Sequence, residues 1–105
     1  MTIIVSKFGG SCLKDKQSFN KILAIINIFK DKKKVLIFSA LNGITDLLLK
    51  TAQNLENSKE VDKIIAFIEK RHIDIIEQIF EEDSKYYLKA KDWIDEKLSE
   101  LEDVF

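Results

Sequence analysis

Two short segments hold the residue types that handle phosphate. The first is Lys7-Phe8-Gly9-Gly10-Ser11-Cys12. Adjacent glycines let the main chain turn sharply and approach a ligand closely. Amide N–H groups at such a turn, ahead of a helix, make an anion site. Lys7 would add a full positive charge and Ser11 a hydroxyl donor. The spacing is neither Walker A nor the dinucleotide fingerprint. A Gly-Gly turn beside a surface lysine satisfies it equally well. The second segment is Ser39-Ala40-Leu41-Asn42-Gly43-Ile44-Thr45-Asp46. Ser39 and Thr45 would bring hydroxyls to the crevice that holds Lys7. Taken singly, Asn42 or Thr45 could equally cap a helix, and Ser39 could simply end a strand.

The elements needed to position these residues are legible in the pattern. Residues 2–5 (TIIV) are β-branched and precede the glycine pair, so they predict a strand. From Asp15 to Lys30, residues Phe19, Ile22, Leu23, Ile26 and Phe29 recur at helical spacing. Residues 35–38 (VLIF) are wholly apolar, which predicts a strand covered on both faces. Strand, helix and strand in forty residues make a βαβ unit. In open parallel sheets ligands bind beyond the carboxyl ends of the strands, where both segments fall. Lys30 to Lys34 (KDKKK) is expected to be a solvated turn.

After Gly43 almost nothing interrupts helix formation, and the chain contains no proline. A second helix is expected from about Asn42, carrying Ile44, Leu47, Leu48 and Ala52. A third runs from about Lys59 to Phe80, with Val61, Ile64, Ile65, Ile68, His72, Ile75, Ile76 and Ile79 as its stripe. A fourth starts near Asp83, the expected N-cap, with Tyr87, Ala90, Ile94, Leu98, Leu101 and Phe105 along one side. The last two form an antiparallel hairpin. The expected organisation is a phosphate and substrate-loop part over residues 1–56 and a helical hairpin over 57–105. Two parallel strands leave both sheet edges open. The expectation is therefore the amino-terminal portion of a larger α/β domain, or a chain that associates with itself.

Composition narrows the function classes. The chain has 105 residues, 46% of them apolar, too many for a disordered segment. Seventeen basic and eighteen acidic residues leave a net charge of −1, so bulk electrostatics favour neither nucleic acid nor an anionic membrane. No apolar run approaches the roughly 20 residues that cross a bilayer. The amino terminus lacks a secretory pattern. Cys12 is the single cysteine, which excludes internal disulfides and cysteine-based zinc. A reducing, cytoplasmic setting is expected.

Together the motifs resemble the amino terminus of aspartate kinase, within the amino acid kinase fold. The resemblance is carried by Lys7-Phe8-Gly9-Gly10-Ser11 after a first strand. Ser39-Ala40 and Gly43-Ile44-Thr45-Asp46-Leu47-Leu48 follow about thirty residues later. Arg71-His72-Ile73 is similar to a segment the family often carries in a long helix. Related kinases for acetylglutamate, carbamate or uridylate also open with a lysine and glycines, but do not usually pair these two segments. The likeness spans essentially this whole chain, about the first quarter of a typical member.

The resemblance implies an α/β fold, beginning with βαβ and followed by the hairpin. It implies that Lys7 contacts the ATP phosphates and steadies transition-state charge. Phe8, Gly9, Gly10 and Ser11 would belong to the ATP-phosphate loop, and Ser39 and Thr45 would line the aspartate pocket. The implied reaction moves the ATP γ-phosphoryl group to the β-carboxylate of L-aspartate with Mg²⁺ present, the first step toward lysine, threonine and methionine. No protein metal ligand, tightly bound cofactor, nucleic acid or membrane partner is implied. The partners would be ATP, L-aspartate, and further copies or the remainder of the kinase chain. Members also carry a Ser-x-Gly-Glu segment, a Gly-Gly-Ser-Asp loop, an adenine pocket and ACT domains, none of them in this sequence. The isolated chain is therefore expected to be inactive toward aspartate. Cys12 replaces a common hydroxyl residue and is expected to be a small buried thiol. Leu41 stands where a small residue or proline is frequent.

The remaining polar and aromatic residues favour structural roles. His72, with Ile68 and Ile76 one turn away, lacks metal-ligand neighbours and reads as a core or boundary histidine. Trp93, Tyr86 and Tyr87 read as packing residues and Glu81, Glu82 and Asp83 as solvated charge. The rival readings are a non-enzymatic helical interaction module and an amino acid kinase with another acceptor.

Overall fold

The computed structural model describes residues 2–105. Strand β1 (Ile3–Phe8), a 3₁₀ turn (Gly10–Cys12), helix α1 (Lys16–Ile28) and strand β2 (Lys33–Phe38) come first. Helices α2 (Ile44–Gln53), α3 (Ser58–Ile79) and α4 (Lys85–Val104) follow. The architecture is thus mixed α/β, two parallel strands and four α-helices. The chain divides into two compact units, one ending at Gly43 and the other spanning Ile44–Phe105.

In the first unit the strands pair in parallel, from Ile3↔Lys33 to Phe8↔Phe38. β1 extends three residues beyond the apolar run that predicts it. Ser6 and Lys7 are polar, yet they pair with Leu36 and Ile37. Phe8 closes the strand in the core, its ring 5.2 Å from that of Phe38. Lys7 and Phe8 are therefore strand residues, not loop residues. Phe8, Leu13 and Ile22 form the buried core, flanked by Phe19, Ile26, Leu36 and Leu41.

α1 starts where its cap dictates. The Asp15 carboxylate accepts from the Ser18 amide and the Ser18 hydroxyl, both at 2.8 Å. These bonds hold its pKa below the ordinary carboxylate value, the backbone bond contributing most. The helix ends at Ile28, short of the expected Lys30. There the Lys34 ammonium donates to the carbonyls of Phe29 (2.9 Å) and Lys32 (3.1 Å). One lysine of the expected solvated turn is thus a chain-end cap. Leu23, assigned to the apolar face by spacing, is 61% exposed.

The sheet corrects a second expectation. Val35 and Ile37 were expected to be covered on both sides, but both lie about half exposed, as do Ile3 and Val5 on the same face of β1. Side chains alternate across a strand, and α1 packs on one face only.

In the second unit α2 packs on α3, and α3 on α4. α2 begins at Ile44, not Asn42. Its inward fourth position is Thr51, fully buried, rather than the exposed Ala52. The Thr51 hydroxyl donates to the Leu47 carbonyl at 2.9 Å, so no polar atom is orphaned. On α3, Val61, Ile64, Ile65, Ile68, Ile75 and Ile76 are buried as their spacing predicts. Asn57 caps this helix through the Glu60 amide. Ser84, not Asp83, caps α4 through the Tyr87 amide at 3.2 Å. Asp83 has φ +64° and turns the chain instead. Among the described residues, no helix is long and apolar enough to cross a membrane.

Candidate functional site

The carboxyl ends of β1 and β2 gather most of the residues singled out by the motifs. Lys7 is exposed, on the strand face opposite the buried Phe8. It has no ion-pair partner among the described residues. Phe8 faces inward, and its carbonyl accepts from the Ser39 amide at 3.0 Å. Its side chain therefore acts as a strut beneath the turn.

The turn follows at once. Gly9 is extended (φ −79°, ψ 175°). The Cys12 amide then donates to the Gly9 carbonyl and the Leu13 amide to the Gly10 carbonyl, both at 3.0 Å. These two bonds leave the Gly10 and Ser11 amides outside the turn's own ladder. A Cβ on Gly9 would meet nothing within 4 Å, so protein packing does not demand glycine there. The main chain at that position is open on the side where a Cβ would stand. Ser11 is exposed.

The segment after β2 lies against this turn. A Cβ on Gly10 would stand 3.5 Å from the Asn42 Cα and 3.7 Å from the Ala40 carbonyl oxygen. The Asn42 amide donates to the Leu13 carbonyl at 3.0 Å. Ser39 is exposed, its hydroxyl donating to the neighbouring Ala40 carbonyl at 2.9 Å. Lys7, Gly9, Gly10, Ser11 and Ser39 thus share one rim. Thr45 belongs to the second unit, exposed in the first turn of α2.

Cys12 corrects the expectation of a buried thiol. It is exposed, because Leu13 takes the inward position at the end of the turn. Leu41, the other departure from the motif, packs on the core. His72 Nδ1 lies 2.8 Å from the Ile68 carbonyl and donates to it. It shares an apolar groove of the helical unit with Ile44, Leu48, Trp93 and Leu98. Trp93 is 57% exposed, with the Lys97 ammonium 5.5 Å from its ring centroid. Tyr87 is buried, while Tyr86 stacks on Phe80 at 6.4 Å. Among the described residues, no three His, Cys, Asp or Glu side chains gather as metal ligands. At the rim itself the polar groups are the Lys7 ammonium, the Gly10 and Ser11 amides and the Ser11 and Ser39 hydroxyls.

Sequence reasoning missed the Asn42–Leu13 bond and the Lys34 cap. Neither leaves a signal in residue type: the first is main chain to main chain, and the second depends on where α1 stops.

A parallel βαβ unit with a glycine turn, a lysine and a serine at its strand ends defines an α/β protein, a class in which ligands bind beyond the carboxyl ends of the strands. The amino acid kinase family model matches residues 2–101. The chain belongs to the amino acid kinase family, which implies a kinase-type phosphotransfer role. No curated protein and no solved structure matches it significantly.

Proposed function

We propose that this chain supplies the phosphate-gripping portion of an aspartate kinase, which transfers the γ-phosphoryl group of ATP to the β-carboxylate of L-aspartate. The observation that carries this reading is the rim itself: Lys7 and the Gly9–Ser11 turn side by side with the segment that starts at Ser39. Phosphoryl transfer needs alignment and charge neutralisation more than covalent help from the protein. Lys7 would neutralise charge on the β- and γ-phosphates. The Gly10 and Ser11 amides would hydrogen-bond their oxygens, and Gly9 would let the turn approach them. Ser39 and Thr45 would hold aspartate. A carboxylate oxygen of aspartate attacks the γ-phosphorus, and the bond to the ADP oxygen breaks. The carboxylate is ionised at neutral pH, so no general base is required. Mg²⁺ would enter with ATP as its counter-ion. Aspartate as the acceptor is supported by the resemblance to aspartate kinase that Lys7-Phe8-Gly9-Gly10-Ser11 and Gly43-Ile44-Thr45-Asp46 carry together.

Titration by NMR tests the assignment. ATP with Mg²⁺ is expected to move the Gly9, Gly10 and Ser11 amides, and Lys7→Ala to weaken that response at least about tenfold. L-Aspartate is expected to move Ser39 and Thr45 where N-acetylglutamate does not. A Lys7→Ala chain that binds ATP as well as the parent would overturn the phosphate assignment. Equal responses to both acceptors would overturn the choice of aspartate. A coupled ADP-release assay on the 105-residue chain with aspartate is expected to show no turnover.

A further inference from the structure

Two main-chain bonds bracket the glycine turn. The first, from the Ser39 amide to the Phe8 carbonyl, extends the β-ladder by one rung. The second, from the Asn42 amide to the Leu13 carbonyl, lies beyond both strands, where no ladder requires it. Between them Gly10 lies against the segment after β2, where a Cβ would be in ordinary van der Waals contact with Asn42. The two bonds and the chain segments 8–13 and 39–42 therefore close a ring. Neither side of that ring can shift far without breaking a bond or carrying the other side with it.

We propose that Asn42 is a positioning residue: through its main-chain N–H it locks the segment after β2 to the glycine turn, so that the two move as one body. The consequence for function rests on the phosphotransfer reading above, in which one side carries the donor phosphates and the other the acceptor. Misplacing reacting groups by about 1 Å can cost on the order of a hundredfold in rate. A lock between the loops that hold them is a direct way to limit such misplacement. The Asn42 side chain is not the agent. Its Oδ1 would make only an ordinary contact, 3.8 Å, with a Cβ placed on Gly10.

The prediction separates main chain from side chain. Asn42→Ala keeps the N–H, whereas Asn42→Pro removes it. Proline is favoured just ahead of a positive-φ glycine in a turn, and Gly43 has φ +83°. Amide hydrogen exchange of the ligand-free chain is the readout. Asn42→Pro is expected to speed exchange at Cys12, Leu13 and Ser39 roughly tenfold, while Val5 and Val35 in the ladder stay as in the parent. Asn42→Ala is expected to match the parent throughout. Unchanged exchange at Cys12 and Leu13 in Asn42→Pro, or equal acceleration in Asn42→Ala, overturns the proposal. Should Asn42→Pro loosen the whole ladder, inorganic phosphate added to the parent chain decides instead. Gly10, Ser11 and Asn42 responding on one saturation curve supports the lock, and Gly10 and Ser11 responding alone overturns it. A failure to bind phosphate at all counts against the phosphate reading, and a ladder loosened throughout by Asn42→Pro then overturns the lock, because the Asn42 N–H would be acting on the whole sheet rather than on the two loops.

Discussion

At the scale of single residues the three glycines serve different ends. Gly43 is set by the backbone: φ +83° lies in the left-handed region, which costs a side chain about 1–2 kcal/mol. Gly10 is not demanded by packing, since a Cβ there would make only ordinary contacts, 3.5 Å from the Asn42 Cα at the nearest. Gly9 is required by neither backbone nor packing, and the role proposed for it above is to let the turn approach phosphate. The three therefore respond differently to alanine. Gly43→Ala is expected to lower unfolding free energy by about 1 kcal/mol in urea titration, although nothing lies within 4 Å of the added methyl group. Gly10→Ala is expected to cost less, because 3.5 Å is an ordinary contact. Gly9→Ala is expected to fold as the parent does and to lose phosphate affinity. An equal stability loss at all three positions would show that loop geometry, not ligand access, selects glycine at position 9.

At the scale of elements, α1 depends on the charge of its cap. Asp15 accepts two hydrogen bonds from Ser18, and its pKa in the folded chain is lowered by them. The unfolded chain takes up the proton first as pH falls, so the cap's stabilisation is fully present above the unfolded value. It is lost as pH drops through the lower, folded value. Thermal melts followed by circular dichroism are expected to show a steeper loss of stability below about pH 4 in the parent than in Asp15→Asn. Identical acid profiles would remove Asp15 from the account of α1. The start of α1 near Asp15 was legible in the sequence from the onset of the helical period, but the capping role of Asp15 comes from the structure. The long stripe of α3 was legible for the same reason of period. Element ends were less so. β1 runs through polar Ser6 and Lys7 because the register with Leu36 and Ile37 continues, a tertiary fact that residue type does not encode. Asp83 and Ser84 are both good caps by type, and only the positive φ of Asp83 decides between them. The rim at the strand ends could be anticipated because a βαβ unit brings consecutive strand ends together. The bonds that join its two loops could not, since main-chain donors and acceptors are the same at every residue but proline.

At the scale of the whole molecule, what α1 leaves uncovered matters most. Ile3 and Val5 on β1 stand beside Val35 and Ile37 on β2, each between 46% and 64% exposed, on the face turned away from the core. The sheet has two strands among the described residues, so both of its edges also present unpaired main-chain groups. Scattered exposed apolar side chains are ordinary on a surface, but here Val5 pairs directly with Val35, and Ile3 and Ile37 lie two residues along on the same sheet face, opposite Lys33 and Lys7, so the four group together. Parallel strands are ordinarily covered on both faces, which is the pattern that the unbroken VLIF run predicts. A chain of this sequence on its own is therefore expected to self-associate through that face as its concentration rises. Val5→Thr with Ile37→Thr retains β-branched side chains, and so strand propensity, while adding hydroxyls that water can solvate. The double variant is expected to shift static light scattering toward the monomer mass. Its unfolding free energy is expected to change by less than about 1 kcal/mol, because neither side chain is part of the buried core. If the parent scatters as a monomer at every concentration, the patch is too small to drive association. If the double variant instead loses stability by several kcal/mol, those side chains are buried in solution by a contact that this structure does not contain.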